Sequence, residues 1–398
     1  MAFDVAAVRS HFPSLASGIA HFDGPGGSQT PAPVARAVHD TLLSGVSNRS
    51  PLTSTGRLAD QIVHEARAAM GDLLAADPRG IVFGRSMTAL TFEFARALAA
   101  GWGPGDEVAV SRLDHDANVR PWVIAAGRAG ATVRWIDFDP ATGELTADDV
   151  AAAVSDRTRL VALTGASNLL GTRPDLAAAA TVAHGVGALF FVDAVHLAAH
   201  AVIDTAQIGA DVVACSPYKF YGPHCGVLAV RPDLLEALHP DKLVPSTDAI
   251  PERFELGTLP YELLAGTSAA VEFVAGLTAS TGTRRRRIVE SGAAAERYET
   301  SLRERLEAEL ATLPGVVLHS RAAQRTPTLL LTFNGRDAGD AAAWLAERDV
   351  NAPAGSFYAH EPATRLGLPD GGLRIGLAPY TDDRDVERLL AGLRAFIG

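Results

Sequence analysis

The 398-residue chain is 47% hydrophobic, enough to bury a large core, and its length suggests two or three lobes. A formal charge of −11 argues against nucleic acid as a partner, because that binding rests on a basic face that neutralises phosphate. The two cysteines, Cys215 and Cys225, cannot build a disulfide framework, and no close Cys/His set has zinc-site spacing, so no metal is expected and a reducing cytoplasm fits best.

The first stretch, "MAFDVAAVRSHFPSL", carries Asp4 and Arg9 where an export signal needs an unbroken apolar run, so none is expected. From about residue 80 to 231, short β-rich runs alternate with helical stretches. The runs are "GIVFG", "DEVAVS", "ATVRWIDF", "TRLVALTG", "ALFFVDAV", "DVVACS" and "GVLAVR". Alanine-rich segments of helical spacing, such as Thr88 to Ala100 and Pro121 to Gly130, lie between several of them. This order predicts an α/β lobe whose largely parallel sheet is covered by helices on both faces, with ligands beyond the carboxyl ends of its strands. The stretch between Asp175 and Asp193 contains His184 and ends in a strand, so it does not read as a membrane span. A long helical region from Leu263 to about Leu313 follows, broken near Gly282, with its basic run Arg284 to Arg287 expected on a solvated face near Glu290 and Glu296. Then "GVVLHS" and "TPTLLLTFNG" predict two antiparallel strands. Helix "DAGDAAAWLAERDV", strand "GLRIGLA" and helix "TDDRDVERLLAGLRAFI" complete a smaller α+β lobe.

Only two of the 35 Lys+Arg residues are lysines, Lys219 and Lys242. Arginine serves ion pairs as well as lysine does but cannot become a nucleophilic amine, so Lys219 in "ACSPYKFYGPHCG" suggests amine chemistry. Taken alone it could be a solvated loop charge. Asp193 ends an apolar strand, where a carboxylate needs a cap role or a cationic partner. In "FGRSMTALTF" a strand enters a helix through small and hydroxyl residues, where backbone N–H groups and Thr88 could hold a phosphate; Ser86 serves equally as a plain helix cap.

These segments, with "HFDGPGGSQTP" (21–31), "LDHDANVRPW", "ASNLLGT", "FFVDAVHLAAH", "FELGTLPYE" and "GGLRIGLAPYTDDRDVERLL", run nearly end to end in an order that resembles the class V aminotransferases of fold type I. These are pyridoxal phosphate enzymes that include the cysteine desulfurases, and the chain looks like their cysteine desulfurase-like branch. The resemblance implies a large domain (21–262) with a mainly parallel seven-stranded sheet, a small α+β domain (263–398), and an amino-terminal segment (1–20) joining the small one. It implies that Lys219 carries pyridoxal 5'-phosphate as a Schiff base, that Asp193 holds the pyridinium proton, and that His115 stacks on the ring. Met87, Thr88 and Ser216 would bind the phosphate, Asn168 would lie near the ring oxygen and the substrate carboxylate, and Arg374 would grip that carboxylate. Thr258 matches a position that reaches the neighbouring subunit's cofactor phosphate, so a homodimer with active sites at the interface is expected.

The chain departs from typical desulfurases in three places. Tyr218 precedes the lysine where they carry histidine, and His196 replaces a glutamine near the cofactor's phenolic oxygen, where an imidazole could also titrate near neutral pH. The loop before Arg374, "NAPAGSFYAHEPATRLG", lacks the cysteine that a persulfide-forming enzyme needs. Beta-elimination needs no such thiol, so the expected activity is a carbon–sulfur lyase acting on an amino acid, cysteine or a cysteine S-conjugate. A desulfurase using a cysteine from elsewhere, a decarboxylating or transaminating enzyme, and an inactive cofactor-binding protein are the alternatives. Tyr358 and His360 could contact the leaving group or simply pack in the loop; Ser28, Gln29 and Arg49 are weaker candidates near the mouth.

Overall fold

In the computed structural model, which describes residues 3–398, a two-residue strand β1 (Ala20–His21) precedes the seven strands of one sheet. These are β2 (Ile81–Gly84), β3 (Glu107–Ser111), β4 (Thr132–Ile136), β5 (Thr158–Thr164), β6 (Leu189–Asp193), β7 (Val212–Cys215) and β8 (Gly226–Val230), one for each run read from the sequence. Their order is β2-β8-β7-β6-β5-β3-β4, with β8 antiparallel to both neighbours and the other pairings parallel.

The central strands carry near-continuous apolar runs, such as Leu160–Leu163 and Leu189–Val192, because both faces are covered. Phe190 and Val192 of β6 enter one core with Val161 and Leu163, while Phe191 enters the opposite core with Leu160, Trp122 and Phe94. Helices Met87–Ala99 and Arg120–Ala129 cover the second face; Ser54–Leu74, Leu176–Gly185 and Tyr261–Ala275 cover the first.

A second sheet joins β9 (Val316–Leu318), β10 (Thr328–Phe333), β12 (Ala354–Gly355) and β13 (Gly372–Gly376) in the antiparallel order β12-β13-β10-β9. Strand β11 (Val350–Asn351) pairs instead with β1 in parallel. Two-residue strands have no periodicity to read, and β1, β11 and β12 carried no signal in the sequence. The amino-terminal segment packs on this side of the molecule, where Arg9 bonds the Tyr380 carbonyl at 2.5 Å and the Asp385 carboxylate at 2.6 Å.

The long helical region splits as read, into Tyr261–Ala275 and Arg284–Leu310. Its basic run is more engaged than a solvated face. Arg284 bonds Asp72 and Glu65 and Arg285 bonds the carbonyls of Asp72 and Leu73; exposed Arg286 pairs with Glu290 as expected, whereas Glu296 pairs with Arg173. Among the described residues no helix is long and apolar enough to cross a membrane.

Candidate functional site

The parallel strands β2, β3, β5, β6 and β7 end on the same side of the sheet, and a cavity of about 330 Å³ opens there. That volume suits a small cofactor together with a small substrate. Of the residues named from the sequence, Met87, Thr88, His115, Asn168, Asp193, His196, Ser216, Lys219, Tyr358 and Arg374 all line it.

Three of them stand on the sheet's own architecture. Ser86 caps the helix Met87–Ala99, its Oγ accepting the Ala89 N–H at 3.1 Å, which leaves the first-turn N–H groups of Met87 and Thr88 without helical carbonyls to bond. The helix comes this close to the sheet because residue 226 is glycine; a Cβ there would collide with the Ser86–Met87 peptide. Asp193 ends β6, where Oδ1 accepts the Val195 N–H at 2.9 Å. Burial lifts its carboxyl to about 6, against the pull of that hydrogen bond and of Lys219.

Lys219 closes the short turn Pro217–Lys219 after β7 and donates to the Pro25 carbonyl. Its Nζ lies 4.8 Å from the ring centroid of Tyr218, which stacks on His224 at 4.7 Å. Burial, with the Arg374 charge next, brings the ammonium down to about 7, and Asp193 opposes them. A free amine is therefore accessible near neutral pH.

The Nδ1 of His115 accepts the Ala117 N–H at 3.0 Å, so the neutral ring carries its proton on Nε2. Burial and the Lys219 charge push it down to about 4. Beneath it Asp114, which sequence reading passed over, accepts from Ser111, from Asn118 at 2.7 Å and from the Thr164 N–H at 3.0 Å. Burial raises that carboxyl to about 8. Nothing in "LDHDAN" sets this buried acid apart from Asp116 two residues on.

Arg374, on β13, is 2% exposed and reaches across to the large sheet's loops, its Nη1 donating to the Asn168 carbonyl at 3.0 Å. Asn168 Nδ2 in turn donates to the Phe357 carbonyl at 3.0 Å. Arg374 Nε and Asn168 Oδ1, on two residues that line the cavity, are both buried without a hydrogen-bond partner. Phe357 lies with its ring centroid 3.6 Å from the guanidinium carbon. Burial lowers the guanidinium to about 9, with the Asp23 charge opposing.

His196 behaves differently from the expectation of a group titrating near neutral pH. It is 4% exposed, its Nε2 lies 3.0 and 2.9 Å from the Thr326 and Thr328 hydroxyls, and burial drives it well below the usual imidazole range, so it stays neutral. His360 and Thr258 are exposed and lie outside the cavity lining. So do three weaker candidates with structural duties: Ser28 bonds the Tyr218 carbonyl and the Tyr221 N–H, Gln29 meets His21, and Arg49 pairs with Asp60 and Glu252. Pro25 and Gly26 of "HFDGPGGSQTP" and Phe357 of the loop before Arg374 join the lining, though the sequence singled out only their segments.

The family profile described as Aminotransferase class-V matches residues 20–389. An uncharacterized protein of Mycobacterium tuberculosis is 34% identical, over 99% of each chain. The cysteine desulfurase CsdA of Escherichia coli is 31% identical over 98% of this chain and 96% of its own. A crystal structure of CsdA from Escherichia coli is 29% identical and superposes with a TM-score of 0.87, covering 99% of this chain and 98% of that one. A cysteine desulfurase of Thermococcus onnurineus, at 24% identity, shares the fold with a TM-score of 0.89 over 98% of both chains.

Proposed function

The chain belongs to the class V aminotransferase family and is a pyridoxal phosphate enzyme, and from that premise we propose that it is a carbon–sulfur lyase that eliminates a thiol from cysteine or a cysteine S-conjugate. The cavity suits the cofactor. It offers an amine near neutral pH, a buried carboxylate in need of a cation, a helix start with unbonded N–H groups, and an open donor and acceptor on Arg374 and Asn168.

In this reading Lys219 would hold the cofactor, Asp193 the proton at its ring nitrogen, and Met87, Thr88 and Ser216 its phosphate. His115 would cover the ring, and Asn168 and His196 would lie beside its oxygen. Bound there, the cofactor supplies an electron sink for charge released at the substrate α-carbon. Arg374 binds the substrate carboxylate through its open edge, which fixes the α-hydrogen relative to Lys219. Lys219 Nζ then takes the α-proton, a task that its lowered pKa permits near pH 7. The electron pair left on the α-carbon forms the Cα–Cβ double bond as the Cβ–S bond breaks, and that bonding pair departs on sulfur as thiolate. Overall one water is consumed, and thiol, pyruvate and ammonia leave.

One observation carries the choice of elimination over sulfur transfer: neither thiol of the chain reaches the cavity. Cys215 is 0% and Cys225 2% exposed, and neither lines the site. Cys215 points from β7 into the same core as Phe190, and Cys225 rests 3.4 Å from the Thr267 hydroxyl. Burial raises both thiols, Cys225 to about 11, which leaves little thiolate to attack sulfur. The names of the relatives favour the second reading, a cysteine desulfurase, which would need a thiol from another protein. Incubation with cysteine and S-methylcysteine, with quantification of pyruvate and alanine, separates them. The lyase reading expects pyruvate in one-to-one ratio with thiol; alanine with enzyme- or partner-bound persulfide would overturn it.

A homodimer belongs to the same proposal. Thr258 is exposed on a bend outside its own cavity, as a residue serving a neighbouring subunit must be, and Leu256 two residues before it is 59% exposed. Light scattering should give twice the 41.6 kDa chain mass, and an active species at the single mass would refute the dimer.

A further inference from the structure

The loop that lacks a cysteine places something else at the cavity's rim. Tyr358 lines the cavity yet is 78% exposed, with its ring centroid 5.7 Å from that of His115. It and Phe357 both adopt left-handed backbone, with φ of 56° and 54°, a conformation that bulky residues rarely take. Two hydrogen bonds fasten the pair: the Asp116 N–H donates to the Tyr358 carbonyl at 2.8 Å, and Asn168 Nδ2 donates to the Phe357 carbonyl at 3.0 Å. The twist sends the neighbouring rings to different tasks. Phe357 covers the Arg374 guanidinium, and Tyr358 is left standing at the opening.

The two groups that would take the substrate's α-proton and grip its carboxylate, Lys219 and Arg374, lie deep, so the group on sulfur extends toward that opening. What it meets there is Tyr358, and Tyr218, whose ring is stacked on His224, adds a second aromatic face to the cavity lining. The acid in the lining, Asp193, is buried at the end of β6 and out of reach of the rim. Flat, rigid, weakly polar faces favour a flat partner, because a tyrosine ring offers large contact area and loses little rotamer freedom.

Building on the lyase reading, we infer that the site selects cysteine S-conjugates whose sulfur bears a planar, unsaturated substituent, and that Tyr358 is the residue that selects it. Stacking of this kind is worth about three- to tenfold in affinity. The test uses the cofactor-loaded protein and its Tyr358→Ala and Tyr358→Phe variants. Calorimetry with S-phenyl-α-methylcysteine, which has no α-proton to lose, reads binding alone. Steady-state assays with S-phenyl- and S-methylcysteine read the ratio of their kcat/KM values; because thiophenol is intrinsically the better leaving group, the change in that ratio between variants is what counts. Tyr358→Ala should weaken binding of the phenyl analogue about three- to tenfold and lower the ratio by a similar factor, and Tyr358→Phe should preserve both. Unchanged binding and an unchanged ratio in Tyr358→Ala would overturn the assignment. Loss of phenyl binding in Tyr358→Ala with no elimination of either substrate by the parent protein would sink the lyase reading and leave the aromatic selector standing.

Discussion

At the scale of single residues, the proposed chemistry rests on a lysine among arginines. Lys219 stands out in the sequence because arginine could have done every other job, and the structure adds why its amine is usable: burial and the Arg374 charge disfavour the ammonium more than Asp193 restores it. Lowering a lysine's pKa means the reactive neutral form accumulates as pH rises through about 7 instead of 10.5. Acylation of the cofactor-free protein, followed by peptide mapping, should therefore show Lys219 labelling that climbs with pH to half-maximum near 7; a midpoint near 10 would contradict the site's electrostatics. With one other lysine in the chain, Lys242, the map is unambiguous. Other residues were less legible. Arg374 is one arginine among many, and only its resemblance to a family position marked it; what makes it special, an open Nε beneath Phe357, exists only once β13 and the 351–360 loop meet. His196 occupies a position where an imidazole could titrate, but burial, created where Thr326 and Thr328 from far away in sequence close over its Nε2, keeps it neutral.

Among the elements, the strand runs could be read because the central strands are buried on both faces and so appear as uninterrupted apolar segments bounded by turns. Helix starts were legible where a cap marks them, as at Ser86. Close packing between elements was not. Nothing local reveals that Gly226 opens β8 directly beneath the Ser86–Met87 peptide, or that Glu255 of "FELGTLPYE" is a buried brace that accepts the Phe83 N–H at 2.9 Å and pairs with Arg67 at 2.8 Å. On the proposed reading the Gly226 contact would tie stability to cofactor binding, since the helix that a side chain there would displace presents the Met87 and Thr88 N–H groups. Gly226→Ala should cost about 1–3 kcal/mol by overpacking. It should also speed loss of pyridoxal phosphate, measured by thermal melting and by the decay of cofactor absorbance after dilution. A destabilised variant that keeps its cofactor as long as the parent would show that the helix start does not hold the phosphate.

For the molecule as a whole, the architecture gathers one site from distant parts of the chain: β6 and β7 of the large sheet, the helix start after β2, the loops after β3 and β5, and Arg374 from the second sheet. Order and spacing of motifs made this fold legible from end to end. Reaction type was harder, because class V enzymes share the cofactor chemistry and differ in what stands around the leaving group. Here that difference is a missing thiol and an exposed tyrosine. The most direct measurement is turnover of a cysteine-free enzyme, Cys215→Ala with Cys225→Ala, assayed with cysteine as substrate. The account predicts pyruvate and sulfide at the parent's rate per folded, cofactor-loaded molecule. Abolished turnover in a correctly folded variant, or alanine as the product from either protein, would contradict it.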